Sequence, residues 1–360
     1  DNKEKKPKSF LQEEGSPIKN KQVSPAPLLQ GFGNTKLLTG PPLEALVFIH
    51  GFNADLQTAL GRMGQLCALG NMAPHIVPFV FSYSGGSAVS YFDVKRHMHE
   101  YAPDLKAFFL NLGRHFRSIH IIGHSAGAEF FFQNFPAIVD CLAPITDGLE
   151  CESSVLPRLR SVTMINGDVL VSTVCERLPE LMRYAERFTA YNDMHDDPLY
   201  WSEFVQTLFP SVCCLRRLLK GTQSPPDGCR PLVFGRNIAP MWMESSGNGK
   251  QVAAGPLVKI LKQGRPSLRG LMRMDTDLRS FVPNVDSSKY DDRIDIIDCS
   301  TIDQNVHKMR HFYYMLNTQV VEDICDLIVN RIAARDRSRL VRVECNVFNF
   351  LCPPANLVEI

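Results

Sequence analysis

The sequence predicts an α/β fold, a mostly parallel sheet with helices on both faces. Three observations carry that expectation. Short continuous apolar runs such as "ALVFIHGF" and "SIHIIGHS" have the uniform character of strands buried on both faces. Longer stretches with apolar residues three and four positions apart read as amphipathic helices. The two patterns alternate along the chain, which calls for crossover connections and therefore for parallel strands.

The 360 residues, 44% of them hydrophobic, are enough to bury a large core. A formal net charge of +1 gives no electrostatic reason to expect nucleic acid or an anionic membrane surface as a partner. The eleven cysteines are scattered, without a C-x-x-C pair or zinc-type spacing, which suggests reduced thiols in an intracellular, cytoplasmic setting. No run approaches the eighteen apolar residues of a membrane span, so no transmembrane segment is expected.

Residues 1 to about 40 are rich in Lys, Pro, Gly, Ser and Gln, and read as a disordered leader. Lacking an initiator Met and an apolar h-region, "DNKEKKPKSFLQEEGSPIKNK" suggests an internal fragment or a processed end, and a targeting segment could lie upstream. The domain opens at Glu44 with its first strand. The next stretch sets Leu56, Ala59, Leu60, Met63, Leu66 and Cys67 on one helical face. A second strand spans His75 to Tyr83, and a long helical stretch carries the stripe Leu105, Phe108, Phe109, Leu112 and Phe116. "SIHIIGHS" is a third strand and "AGAEFFFQNFPAIV" the helix behind it.

Three more strands are expected at Arg160 to Gly167, Glu186 to Asn192 and Asp292 to Ser300, the last followed by a helix with Val321, Ile324, Cys325 and Ile328 on one face. The alternation breaks between Trp201 and about Arg269. That segment begins with the stripe Phe204, Val205, Leu208, Phe209, Val212, Leu215, Leu218 and Leu219 and runs on through "GTQSPPDGCRP". It is too long for an ordinary connection, and reads as a helical insertion packed beside the core or as a lid over a substrate pocket.

"GHSAG", Gly123 to Gly127, sits between strand and helix, the context that a nucleophilic serine requires. G-x-S-x-G alone recurs by chance about once in ten chains of this length. The flanking strand and helix make Ser125 a nucleophile candidate rather than a turn residue. An oxyanion formed by its attack needs donors set in advance. The N–H of Ala126 supplies one, and that of Phe52, in the "HGFN" turn after the first strand, supplies the other; His50 reads as a structural loop histidine. "RHMHE" cannot form a metal pair on one helix face, because His97 and His99 are two apart. "SSGNGKQ" fails as a phosphate-binding loop, with Glu244 and Gln251 at two positions the motif reserves. Neither a cofactor nor a metal is expected.

Taken together, "LVFIHGFNADLQTALGRMGQL", "VFSYSGGSAVSYFD", "IHIIGHSAGAEF", "FTAYNDMHDDPLYWS" and "IDIIDCS…HFYY" resemble the α/β-hydrolase fold, specifically an esterase/lipase-like family of uncharacterised, bacterial-type serine hydrolases. The resemblance covers roughly residues 43 to 335, with 201–269 as an insertion and 336–360 as a C-terminal extension. It implies the order Ser, acid, His. The family pattern of Tyr, Asp five positions on, Leu and Ser is matched by Tyr191, Asp196, Leu199 and Ser202, so Asp196 is the implied acid, followed by Asp193 and Asp197. Asp168, after "MING", is an outside candidate. The family's His-x-Tyr implies His311 as base, with His307 as the alternative. Ser82-Tyr83-Ser84 replaces a usual Trp-Pro-Ser step, and Pro198 replaces a small residue; both bear on substrate range and acid geometry.

The function so implied is a serine hydrolase acting on a small-molecule ester or acyl substrate through a Ser125–His311–Asp196 triad. Two alternatives stand beside it: a catalytically silent interaction module that keeps the fold, and an acyltransferase or thioesterase using the same residues.

Overall fold

The computed structural model describes residues 41–86, 90–145, 155–208, 232–238, 293–302 and 309–351. Strand β1 (Glu44–Ile49) is buried along its whole length. Ala45, Val47 and Ile49 enter one core, and Leu46 and Phe48 enter another on the opposite face. A strand covered on both sides has no polar face to offer, which is why it reads as an unbroken apolar run.

Along the chain follow α1 (Leu56–Leu69), β2 (Ile76–Phe81), α2 (Tyr91–His97), α3 (Ala102–His115), β3 (Ser118–His124) and α4 (Ala126–Asn134). Then come β4 (Arg158–Ile165), α5 (Val171–Leu181), β5 (Phe188–Asn192), α6 (Asp197–Leu208) and β6 (Ile294–Asp298). The described elements end with α7 (Thr318–Ile328), β7 (Leu340–Glu344) and β8 (Val347–Phe350).

The eight strands form one sheet in the order β2-β1-β3-β4-β5-β6-β8-β7. Every neighbouring pair is parallel except β7 and β8. The mostly parallel sheet expected from the sequence is therefore the sheet found. The chain builds from β1 toward β2 on one side and from β3 onward on the other, so the order reverses between β1 and β3. The carboxyl ends at such a switch point leave a crevice between diverging connections.

One core holds Leu105, Phe109 and Leu112 of α3, Phe130 and Phe131 of α4, and Val174 and Leu178 of α5. The other holds Ala59, Met63 and Leu66 of α1 with Val320, Val321 and Ile324 of α7. Asp55 caps α1 by accepting from Thr58 N–H at 2.8 Å, and Asn317 caps α7 by accepting from Val320 N–H at 3.2 Å. Such caps contribute about 1 kcal/mol each.

Three expectations are corrected. The buried stripe of α1 is narrower than predicted, since Leu56 and Leu60 are exposed. In α3 the helix ends at His115, and Phe116 stays buried as the extended residue that follows. The polarity of α6 is inverted: Ser202, Glu203 and Gln206 are buried while Trp201 and Phe204 are exposed. The reason lies across from it, where Ser202 meets Asp168 and Glu203 meets Arg236. Of the segment from 201 to 269, only 201–208 and 232–238 are described. In the second stretch Phe234 packs in the core and Val233 bridges to Leu170. Past residue 335 the sheet continues, with β8 pairing with β6 (Ile296↔Val347) and β7 folding back on β8.

At the amino ends of the strands, Ser161, His120 and Glu44 form a hydrogen-bonded chain, with 2.8 Å on each side of the imidazole. All three are at most 4% exposed. The order of groups imitates a catalytic triad, but they sit at the amino ends of the strands, away from the carboxyl-end crevice, and serve as a cross-strand polar ladder linking β4, β3 and β1.

Candidate active site

Ser125 joins β3 to α4 with φ 54° and ψ −124°. A non-glycine residue in this region carries strain of about 1–3 kcal/mol, which persists only where the surroundings hold it. Here Ser125 N–H donates to Ile165 O at 3.0 Å, and its carbonyl accepts from Ala128 N–H at 3.0 Å and Asp168 N–H at 2.9 Å. Of the two glycines of the motif, Gly127 is required by backbone packing and Gly123 fits closely against the Met164 side chain. A Cβ on Gly127 would lie 2.2 Å from Ile49 O, and one on Gly123 would lie 2.8 Å from Met164 Sδ. The helix thus starts directly against the end of β1, with Ser125 8% exposed at the rim of the core.

The turn after β1 closes on the same point. A Cβ on Gly51 would come within 2.8 Å of Ser125 Cβ, so only glycine permits the approach. Phe52 follows, its ring edge-on to Tyr91 with centroids 5.3 Å apart. His50 contacts Gly51 O through Nδ1 at 2.9 Å and Ser82 Oγ through Nε2 at 3.1 Å, and stacks on Tyr83 at 4.6 Å. The departures at Ser82 and Tyr83 thereby have a local role, since Tyr83 OH also donates to His50 O at 3.0 Å.

Asp196 lies between β5 and α6. Its Oδ1 accepts from Leu199 N–H at 2.8 Å, capping the helix, and its Oδ2 faces His311 Nδ1 at 2.6 Å. Both residues are buried. With the Nδ1 proton directed to the carboxylate, Nε2 carries the lone pair of the neutral ring. Burial pushes the Asp196 carboxyl upward, while His311 and the Leu199 N–H act against the rise.

The loop holding His311 is anchored on several sides. His124 Nε2 donates to His311 O at 3.0 Å, with the two rings 4.7 Å apart. Asn166 donates to Arg310 O at 3.1 Å and accepts from Tyr313 OH at 2.7 Å. Arg310 bonds Asp193 Oδ2 at 2.7 Å and donates to the carbonyls of Cys299, Ser300 and Ile302. Asp193, the alternative acid, is thus engaged by Arg310 and by His195 N–H. Asp197 is exposed at the start of α6. Asp168 bonds Tyr91, Ser202 and Lys95. His307 and the residues 244–251 lie outside the described residues. Sequence reading passed over Arg310, Asn166, His124 and Lys95; a clue for the first was its position one residue before the candidate base.

Among the described residues no three of His, Cys, Asp and Glu converge to hold a metal ion, and no helix is long and apolar enough to cross a membrane.

With this geometry in view, residues 33–209 match the family model described as "Alpha/beta hydrolase of unknown function (DUF900)". The match and the mostly parallel sheet agree on the α/β-hydrolase fold. A lipase-esterase related protein from Clostridium acetobutylicum is similar at 14% identity with a TM-score of 0.27, over 80% of this chain and 94% of that one. No curated protein matches the sequence.

The α/β-hydrolase domain buries two neutral histidines at the strand ends. Burial lowers the pKa of His50 and holds that of His124 well below the ordinary histidine range. An unfolded chain takes up these protons near pH 6.5, whereas the folded one resists them. Their contribution to stability is therefore full above about pH 6.5 and is lost as pH falls toward the folded values. Thermal unfolding is expected to show Tm falling between pH 7 and 5.5, with a shallower slope in His124→Gln; an unchanged slope would contradict the assignment.

Proposed function

We propose that the domain is a serine hydrolase of carboxylic esters that works through Ser125, His311 and Asp196. The observation that carries this reading is the 2.6 Å contact between His311 Nδ1 and Asp196 Oδ2, held beside the strained Ser125 turn. A serine hydroxyl needs a base to take its proton, and the base needs a partner that fixes its tautomer. Asp196 can act as that partner.

In the proposed reaction His311 Nε2 takes the proton of Ser125 Oγ as Oγ bonds to the carbonyl carbon. The carbonyl π electrons move to oxygen, and the N–H groups of Ala126 and Phe52 receive the oxyanion. The C–O bond to the alcohol then breaks, with the proton passing from His311 to the leaving oxygen. Water repeats the sequence on the acyl-enzyme and releases the acid. Each well-aimed oxyanion donor contributes about 2.7–4 kcal/mol to such a step. The chemistry requires no cofactor, and a thioester or an acyl acceptor other than water would use the same groups. An intracellular setting fits this reading, supported by the free thiols of Cys67, Cys141, Cys175, Cys299, Cys325 and Cys345.

A fluorophosphonate probe tests it. Purified wild-type protein is expected to take up one probe per chain, mapped to Ser125 by mass spectrometry, and to hydrolyse p-nitrophenyl esters; folded protein that remains unlabelled would refute the proposal.

A further inference from the structure

Asp168 lies buried beside Ser125 without serving as partner to His311. Its Oδ2 accepts from Tyr91 OH at 2.7 Å, and its Oδ1 accepts from Ser202 OH at 2.7 Å with Lys95 Nζ at 3.0 Å. Lys95 Nζ also donates to the Asp168 carbonyl at 3.0 Å. Both carboxylate oxygens are committed, so the residue is poorly suited to bind substrate. Its partners instead come from α2, which follows the loop facing Phe52, and from α6, which follows the acid loop.

We infer that Asp168 is a positioning residue for the oxyanion hole: its backbone N–H holds the peptide that carries the Ala126 donor, and its carboxylate, through Tyr91, steadies the side chain of Phe52. This rests on the serine-hydrolase reading above. The first grip is direct. Asp168 N–H donates to Ser125 O at 2.9 Å. The Ser125 carbonyl and the Ala126 N–H belong to one planar peptide unit, so holding one end fixes the direction of the other. The second grip runs through Tyr91, whose hydroxyl is held by Asp168 and whose ring stands edge-on to Phe52 at 5.3 Å and 86°. On its other side Phe52 is confined at Gly86, where an added Cβ would reach Phe52 Cε2 at 3.3 Å. Asn53 N–H donates to Gly85 O at 2.8 Å and ties the same turn to that loop.

An unpaired carboxylate at this place would oppose the developing oxyanion. Lys95 supplies the balancing charge, and its side chain is only 14% exposed, so water screens the pair little. The separation between two donors matters because a hydrogen bond must meet the oxyanion and not the ground-state carbonyl.

Tyr91→Phe keeps the ring against Phe52 and removes the grip on it; Asp168→Asn keeps the shape and weakens both Tyr91 and Lys95 contacts. Rates are measured per active site, titrated with the fluorophosphonate probe, alongside inhibition by a trifluoromethyl ketone that forms a tetrahedral adduct on serine. Tyr91→Phe is expected to lower kcat about tenfold and Asp168→Asn about a hundredfold, with KM within about twofold and affinity for the ketone falling in parallel with kcat. If either folded variant loses Tm while kcat per titrated site and ketone affinity stay at wild-type values, the positioning role is overturned. Should Asp168→Asn fail to fold, Tyr91→Phe decides alone. Wild-type protein that never labels at Ser125 would remove the underlying reading instead, an outcome distinct from labelled variants with unchanged rates.

Discussion

Asp196→Asn is expected to lower kcat for ester hydrolysis about 10⁴-fold while leaving the fold intact. The amide oxygen can still accept from Leu199 N–H and cap α6, as Asp196 Oδ1 does at 2.8 Å. The amide nitrogen would face His311 Nδ1 where the carboxylate oxygen now lies at 2.6 Å, and a donor there favours the wrong tautomer for a base. Ser125→Ala and His311→Ala should each cost at least as much, and the double variant no more than either alone, because residues acting as a unit are not additive. Stopped assays on p-nitrophenyl esters with circular dichroism as the folding control measure this. A loss below tenfold in folded Asp196→Asn would assign the acid elsewhere.

The second large effect is on stability. Asp193→Ala should destabilise the domain by about 3–5 kcal/mol, because it leaves a buried guanidinium without its carboxylate. Arg310 and Asp193 are in contact at 2.7 Å with side chains 7% and 0% exposed. Urea unfolding would show a lower midpoint at unchanged m. Adding Arg310→Met to Asp193→Ala should recover part of the loss, since an apolar side chain needs no counter-charge, although the carbonyls of Cys299, Ser300 and Ile302 would then lose their donor. Together the two aspartate variants separate roles that the acid loop leaves undistinguished in sequence.

The contrast between these neighbouring residues shows how far reading the chain reaches. "YNDMHDDPLYWS" offers three carboxylates within five positions, and nothing in their spacing says which faces a histidine 115 residues later. Family resemblance favoured Asp196. Its pairing with His311 depends on where β5 ends, on the cap of α6, and on Arg310 engaging Asp193 first. The same limit appears in α6, where an apolar stripe was legible but its orientation was not. Helical periodicity locates a face without saying whether the opposing surface is polar, and here Asp168 and Arg236 make it so.

β7 and β8 illustrate a different loss. They are short strands at one side of the sheet, and Val341 and Val343 remain exposed. Val341-Arg342-Val343-Glu344 alternates for four residues only and its apolar members are the exposed ones, so the pairing with β6 and each other is what distinguishes these strands from an irregular tail. The decoy formed by Ser161, His120 and Glu44 makes the complementary point, since residue types and bond order match a triad but the group sits at the amino ends of the strands, away from the carboxyl-end crevice.

Sequence by itself determined the parallel α/β architecture, the order of β1 to β6 along the chain, and the strand-to-helix turn that carries Ser125. Those features depend on local pattern: apolar runs long enough to be covered on both faces, helical periodicity between them, and glycines at the tight approaches of Gly51 to Ser125 and of Gly127 to the end of β1. Tertiary structure decided that Asp196 rather than Asp193 or Asp197 meets His311, which way α6 turns, and what Asp168 holds. These are contacts between residues tens to more than a hundred positions apart, and they are set by which strand ends lie side by side, a quantity that no local pattern encodes.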